Sequence, residues 1–171
     1  MARPSGRAGG KTRRVPEAAV DRLGRSADGY DRGMCPGRTE CAQAVSARPE
    51  APRAVRAHLR GWLTEMRWPG RAIDDIALAV SEAVTNVVEH AYRSVTVGGI
   101  VEVDCEAIGA DRRQLRIWVR DRGRWRPRRL DPGFRGWGLE VIAALMLELR
   151  IQPREGGGTE VMMLTRPIPP I

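Results

Sequence analysis

The sequence predicts an α+β domain, a two-layer α/β sandwich in which helices cover one face of a mostly antiparallel sheet. Apolar residues recur at three- and four-residue steps through residues 52–68 and 72–92, a pattern typical of amphipathic helices. Apolar and polar residues then alternate through residues 101–107 and 115–119, and a short turn joins these two segments. They are therefore predicted to pair as antiparallel strands.

The N-terminal part of the chain differs in composition from the rest. Residues 1–48 are rich in Gly, Arg, Ala and Ser and show no sustained periodicity, so they are predicted to be a disordered basic leader. A short helix is compatible with residues 16–23, where Pro16 would occupy the first turn. Residues 49–171 are predicted to form the folded domain.

The two predicted helices are marked by different signals. In the first helix, Val55, Leu59 and Leu63 share one face, and the sequence Trp-Pro-Gly at residues 68–70 ends it. The second helix has two aspartates near its start, at residues 74–75, where the helix dipole favours negative charge.

The C-terminal elements follow a segment without regular pattern. Residues 124–135 are predicted to be a long loop, and an apolar run over residues 139–147 is predicted to be the third helix. Strands are predicted at residues 148–152 and 160–165, joined through a glycine-rich turn.

Composition fits one globular domain with additional chain. Of the 171 residues 42% are hydrophobic, and no run approaches the ~20 apolar residues that cross a bilayer. The first residues contain no apolar stretch of the kind found in secretory signals. Three cysteines without metal-ligand spacing fit free thiols in a reducing compartment. We therefore expect a cytoplasmic protein that does not bind a membrane.

The net charge of +8 is uneven along the chain. Residues 1–48 contain ten basic and five acidic side chains, whereas residues 49–171 contain nineteen and sixteen. All the basic residues except Lys11 are arginines, a bias that genome composition can produce without any anionic partner. No recognisable module interleaves these cations with aromatic residues, so direct nucleic-acid binding is not expected.

The segment at residues 81–92 contains the first chemical signal. It reads Ser-Glu-Ala-Val-Thr-Asn-Val-Val-Glu-His-Ala-Tyr, and its helical pattern places Glu82 and Asn86 one turn apart on the same face. Two polar side chains on a largely apolar helix need partners, and a hydrated Mg²⁺ with nucleotide phosphates would supply them. An ordinary amphipathic helix with both side chains at its solvated edge is the alternative.

Three further motifs follow in order. Asp121-Arg122-Gly123 comes directly after a predicted strand, Gly136-Trp137-Gly138 opens the third helix, and Gly-Gly-Gly-Thr at residues 156–159 opens the last strand. Together with residues 81–92, this order resembles the GHKL ATPases, and most closely the bacterial anti-sigma-factor serine/threonine kinases. The resemblance covers residues 53–167 and implies a Bergerat-type, histidine-kinase-like ATP-binding domain over residues 49–171.

The resemblance implies a role for each matching residue. Glu82 would polarise the attacking hydroxyl or water as the catalytic base, and Asn86 would provide the protein oxygen for Mg²⁺. Asp121 would accept a hydrogen bond from the amino group of adenine and discriminate against guanine. Gly123 would allow the backbone to lie close to the base. Thr159 would bind near the adenine, although threonine is also simply a good strand residue.

The second glycine motif implies a phosphate site. Backbone N–H groups of Gly136, Gly138 and Leu139 would face the phosphates of ATP where the third helix begins. The side chain of Arg135 would add positive charge beside them.

One departure from the family pattern concerns the first glycine box. Trp125 stands where the family usually has a second glycine, and an indole there would stack on adenine, cover the site or obstruct it. Arginines of the following loop would surround a triphosphate or be solvated.

Two classes of function therefore remain open. The first is an ATP-dependent kinase that phosphorylates a serine or threonine of an anti-sigma-factor antagonist and sequesters a sigma factor; a homodimer is usual in the family. The alternative is a nucleotide-gated anti-sigma binding protein with little or no kinase activity. Glu82 favours the first class, because pure binding needs no base, and Trp125 favours the second. A sensor histidine kinase is not expected, because the chain has no phospho-acceptor helix pair.

Overall fold

The structure is a computed structural model that describes residues 39–92, 98–109, 112–123 and 137–169. These residues belong to one compact unit, Gly33–Ile171. In chain order its elements are β1 (Glu40–Ser46), α1 (Ala51–Glu65), α2 (Gly70–Asn86), a π-helical turn (Val87–Ala91), β2 (Ile100–Ile108), β3 (Gln114–Arg120), α3 (Gly138–Leu145), β4 (Glu148–Pro153) and β5 (Thr159–Leu164).

The five strands form one sheet in the order β1-β2-β3-β5-β4. Every neighbouring pair is antiparallel. Strand β3 lies at the centre, so the residues that follow it are flanked by β2 on one side and β5 on the other. The predicted fold class, an α+β sandwich with an antiparallel sheet, is confirmed.

The core lies between the helices and one face of the sheet. Alternate residues of β2 and β3 are buried on this face because successive strand side chains point to opposite sides: Val101, Val103, Cys105, Leu115, Ile117 and Val119. Helices α1 and α2 cover them with aliphatic side chains spaced at helical intervals: Val55, Leu59, Leu63, Ile76, Val80 and Val84. Burial of each such side chain contributes ~1.5–3 kcal/mol to folding.

The opposite face of the sheet carries charged side chains around one indole. Trp118 lies between Arg116 and Arg120, whose guanidinium carbons are 5.8 and 5.4 Å from its ring centroid. Arg120 also donates hydrogen bonds to Asp104 and, at 2.6 Å, to Glu160. Burial acts to raise the pKa of Glu160, but the hydrogen bonds from Arg120 and Gln152 outweigh it and hold that pKa below its usual value.

Strand β1 corrects the predicted leader. It pairs with β2 over its whole length, from Glu40 opposite Glu106 to Ser46 opposite Ile100. The prediction that residues 1–48 are disordered is therefore wrong for residues 39–48. The alternating pattern of β1 was missed because Gln43 interrupts its inward-facing positions. Residues 1–38, including the proposed helix at 16–23, lie outside the described residues.

Candidate functional site

Helix α2 presents Glu82 and Asn86 towards the first residue of α3. Both side chains are partly buried, while the intervening Ala83 and Val84 are packed in the core. A Cβ atom on Gly138 would lie 3.1 Å from Glu82 Oε2 and 3.4 Å from each terminal atom of the Asn86 amide. Because Gly138 has no side chain, the start of α3 approaches both polar groups closely. The structure thus brings together three residues predicted for the site.

The helix that carries these groups ends in an irregular turn. Directly after Asn86, residues Val87–Ala91 adopt π-helical geometry, and Tyr92 follows with φ −118°. Such single π turns inside or at the end of α-helices occur often at functional sites. Here the turn changes the direction of the chain, and Ala91 contacts Gly123. A Cβ atom added to Gly123 would lie 2.4 Å from the Ala91 carbonyl oxygen.

The second part of the site is the turn after the central strand β3. Asp121 is 2% exposed, and its carboxylate oxygen Oδ1 accepts a hydrogen bond of 2.7 Å from the N–H of Gly123. The N–H of Asp121 donates to the carbonyl oxygen of Thr159 at 3.0 Å. The turn is therefore fixed to both its own strand and β5.

The carboxyl group of Asp121 has a raised pKa. Burial is the main cause, because it disfavours the charged form. Hydrogen bonds from Gly123 and Thr159 and the charge of Arg154 partly offset this effect. Perturbed pKa values are frequent at functional sites, which makes Asp121 a candidate binding group.

One contributor to this turn was missed by the sequence analysis. Arg154 Nη1 donates a hydrogen bond of 3.1 Å to the carbonyl oxygen of Asp121 and lies 3.4 Å from Glu102 Oε2. Arg154 belongs to the β4–β5 turn, 33 residues from Asp121. No local pattern distinguishes it from the other arginines, so the sequence contained no signal for this contact.

The structure describes only some of the other residues predicted for the site. Thr159 is buried beside Asp121, and Leu139 is partly buried against the core in the first turn of α3. Arg135, Gly136 and Trp125 lie outside the described residues. The individual roles assigned to all these residues in nucleotide binding stay predictions.

The two α2 side chains that face the start of α3 fit a magnesium ion held mainly by phosphate. Glu82 and Asn86 place carboxylate and amide oxygens next to Gly138, and such oxygens are the ligands that Mg²⁺ prefers. Within the described ranges there is no group of three or more His, Cys, Asp or Glu that would hold a metal by protein ligands alone. A few protein oxygens beside a phosphate site suit Mg²⁺, which keeps several waters.

No helix among the described residues is both long and apolar enough to cross a membrane.

The fold is that of an ATPase domain of the GHKL type. A family model described as a histidine kinase-like ATPase domain matches residues 45–165, which is most of the chain. The chain belongs to this family, in its group of anti-sigma-factor kinases. The predicted family is confirmed.

Curated relatives match over about two thirds of the chain. A "Serine-protein kinase RsbW" of Oceanobacillus iheyensis is 34% identical over 123 residues, 66% of this chain and 78% of the relative. The protein of the same name from Bacillus subtilis is 34% identical over 125 residues, 66% of this chain and 77% of the relative. An "Anti-sigma F factor" of Clostridium acetobutylicum is 30% identical over 128 residues, 68% and 86% of the two chains.

A solved structure supports the same grouping. The crystal structure of the RsbU and RsbW domains of Rv1364c from Mycobacterium tuberculosis superposes with a TM-score of 0.59 at 32% identity. The match covers 76% of this chain and 33% of that chain, so the present protein spans about a third of that longer protein.

Proposed function

We propose that this protein is an ATP-dependent serine/threonine kinase that phosphorylates an anti-sigma-factor antagonist and sequesters a sigma factor. The observation on which the proposal rests is the convergence of Glu82 and Asn86 on Gly138 at the start of α3. As a base and a metal ligand beside a helix N-terminus, these groups would suit phosphoryl transfer, which depends on positioning and electrostatic stabilisation. The relatives named as serine-protein kinases favour this function over a nucleotide-gated binding protein without kinase activity.

Adenine recognition is assigned to the turn after β3. The carboxylate of Asp121 would accept a hydrogen bond from the exocyclic amino group of adenine. Guanine has a carbonyl oxygen at that position, so two acceptors would face each other unpaired, at a cost of ~1–3 kcal/mol. The Gly123 N–H and Arg154 hold Asp121 and its backbone in place before the base arrives.

Phosphate binding is assigned to the start of α3. Gly138 and Leu139 are the first two residues of α3. N–H groups in the first turn of a helix lack intrahelical acceptors, so these two would face an anion bound there. We assign Arg135 and Gly136, which precede α3 in the sequence, to the same phosphate site. Asn86 would provide the protein oxygen for Mg²⁺. When bound, Mg²⁺ neutralises charge on the β- and γ-phosphates and aligns them for transfer.

Glu82 is assigned as the general base. The serine or threonine hydroxyl oxygen of the antagonist forms a bond to the γ-phosphorus, the bond from that phosphorus to the β–γ bridging oxygen breaks, and ADP leaves. The hydroxyl proton passes to the Glu82 carboxylate. The Glu82 carboxylate lies close to the start of α3. With the phosphates bound there, it would be near the hydroxyl group whose proton must be removed.

The partners are part of the proposal. The name "Anti-sigma F factor" of one relative supports a sigma factor as a binding partner. We also propose action in the cytoplasm, where ATP and sigma factors are found, without direct nucleic-acid contact and as a homodimer.

Thermal unfolding with different nucleotides tests the proposal. Mg·ATP and Mg·ADP at a hundredfold excess over their dissociation constants should each stabilise the fold by about 2.7 kcal/mol. Mg·GTP should have little effect. Labelled γ-phosphate should then pass from ATP to a serine or threonine of the antagonist. Absence of a shift with every nucleotide would refute the function, and equal shifts with ATP and GTP would refute the role of Asp121.

A further inference from the structure

The hydroxyl group of Tyr92 joins two segments that are distant in sequence. It donates a hydrogen bond of 2.9 Å to the carbonyl oxygen of Ile100, at the start of β2. It also accepts one of 3.0 Å from the backbone N–H of Arg122, the residue that follows Asp121. One side chain at the end of the π-helical turn therefore holds the turn that contains the buried aspartate.

The ring of Tyr92 is confined where it lies. A Cβ atom on Gly99 would lie 2.4 Å from three carbons of the ring, so the ring rests directly on the Gly99 backbone. The carbonyl oxygen of Gly99 in turn accepts a hydrogen bond of 2.7 Å from Ala47, which fixes this strand end. The hydroxyl is consequently aimed at Arg122 by packing as well as by hydrogen bonding.

A second contact links the same two segments. Ala91 packs against Gly123, and Tyr92 binds the N–H of Arg122, so consecutive residues of one segment hold consecutive residues of the other. The Gly123 N–H is the group that binds the Asp121 carboxylate. Displacement of residues 122–123 would therefore reorient that carboxylate.

We propose that Tyr92 is a positioning residue for nucleotide binding. Its hydroxyl holds the turn at residues 121–123 at a fixed distance from the helix end that carries Glu82 and Asn86. The groups assigned to adenine recognition are thereby held at a fixed position relative to the groups assigned to phosphate binding. This inference rests on the proposed function of the site.

The test compares Tyr92→Phe with a matched control, Thr165→Val. Thr165 is buried, and its hydroxyl oxygen accepts a hydrogen bond of 2.8 Å from the Leu115 N–H. Each substitution removes one hydroxyl that binds a backbone N–H. Thr165 lies beside the start of β3, whereas the turn at residues 121–123 follows its end.

The phenylalanine variant should raise the Mg·ATP dissociation constant and KM by about fivefold, the equivalent of one net hydrogen bond. Its kcat at saturating ATP should be unchanged, because Glu82 and Asn86 are not displaced. In the nucleotide-free protein, hydrogen exchange of the Arg122 and Gly123 amides should become faster. Thr165→Val should lower thermal stability and leave nucleotide affinity and these amides unchanged.

A second variant preserves the hydroxyl while displacing the ring. Gly99→Ala should push the ring away from Arg122 and reproduce the affinity loss of Tyr92→Phe. The proposal is overturned if Tyr92→Phe binds Mg·ATP like the wild type with unchanged Arg122 exchange, or if Thr165→Val loses affinity equally. If the wild type itself binds no nucleotide, the proposed function fails, and the exchange measurement still decides whether Tyr92 positions the turn.

Discussion

A Cβ atom on Gly158 would lie 2.0 Å from the carbonyl oxygen of Asp121. This separation is far below van der Waals contact, so position 158 accepts only glycine without movement of the backbone. The residue also has φ +93°, in the left-handed region that disfavours other residues. The β4–β5 turn and the end of β3 are therefore packed backbone to backbone at the predicted adenine site.

Replacement of Gly158 by alanine should destabilise the protein and weaken nucleotide binding. Gly156→Ala is the control, because Gly156 has φ +85° but open space around its Cβ position. Strain at positive φ alone should cost ~1–2 kcal/mol in both variants. Only Gly158→Ala should add the collision with Asp121 and reduce Mg·ATP affinity. If Gly158→Ala and Gly156→Ala lost the same stability in thermal unfolding and the same Mg·ATP affinity in calorimetry, this close packing would be contradicted.

Asp121→Asn should stabilise the nucleotide-free protein at pH 7. The folded-state pKa of Asp121 is raised, so folding favours the protonated carboxyl. That contribution is present at low pH and is lost as the pH rises through the folded pKa. Asparagine avoids the buried charge, so its advantage in melting temperature should be largest near neutral pH and disappear in acid.

The same variant should lose its response to ATP. An asparagine amide can present its oxygen to either the Gly123 N–H or the adenine amino group, but it lacks the carboxylate charge and second acceptor oxygen. Thermal shifts with Mg·ATP should shrink while basal stability rises. A melting-temperature difference between Asp121→Asn and the wild type that does not grow from acid to neutral pH would refute the assigned direction of the Asp121 pKa.

Glu82→Gln and Asn86→Ala should separate chemistry from binding. Glutamine preserves size and removes the base, so phosphotransfer to the antagonist should fall by ~10²–10⁴-fold while ATP affinity is retained. Alanine at position 86 removes the metal ligand, so binding should weaken in Mg²⁺ and change little in EDTA. Full transfer by Glu82→Gln in single-turnover assays would show that another group is the base.

Two N-terminal truncations should locate the start of the folded domain. Removal of residues 1–38 should leave thermal stability and nucleotide binding close to those of the full chain. Removal of residues 1–47 deletes β1, exposes the edge of β2 and uncovers Cys105, so the melting temperature should fall by several degrees. Similar melting temperatures for both truncations would show that β1 contributes little to the fold.

The cysteine of β1 should react slowly in the folded protein. Burial, and secondarily the charge of Asp104, raises the pKa of the Cys41 thiol to about 11. Because the thiolate is the nucleophile, a shift from the ordinary value of 9.0 lowers its alkylation rate at pH 8 by roughly a hundredfold. Mass spectrometry of iodoacetamide-treated Cys35→Ser protein should show slow modification of Cys41, which urea accelerates. Rapid labelling without urea would mean that β1 is not docked.

The sequence by itself determined the elements whose pattern is local. Helical spacing in α1 and α2 and alternation in β2 and β3 reflect neighbours along the chain, and each was predicted at nearly its observed position. The order of the four motifs was enough to recognise the resemblance to the family. The placement of Glu82 and Asn86 on one helical face follows from the same local geometry.

Only the tertiary structure decided which distant segments meet. Strand β1 has a weak pattern of its own, and pairing with β2 supplies its hydrogen bonds and covers its inward side chains. Likewise, Tyr92 reaches Arg122 across 30 residues, and Arg154 reaches Asp121 across 33. Such contacts depend on how the helices pack on the sheet and how its strands are ordered, which brings the π-helical turn and the β4–β5 turn to the C-terminal end of β3. The local sequence pattern does not show that these residues are close, because hydrogen bonds and packing act between neighbours in space rather than between neighbours along the chain.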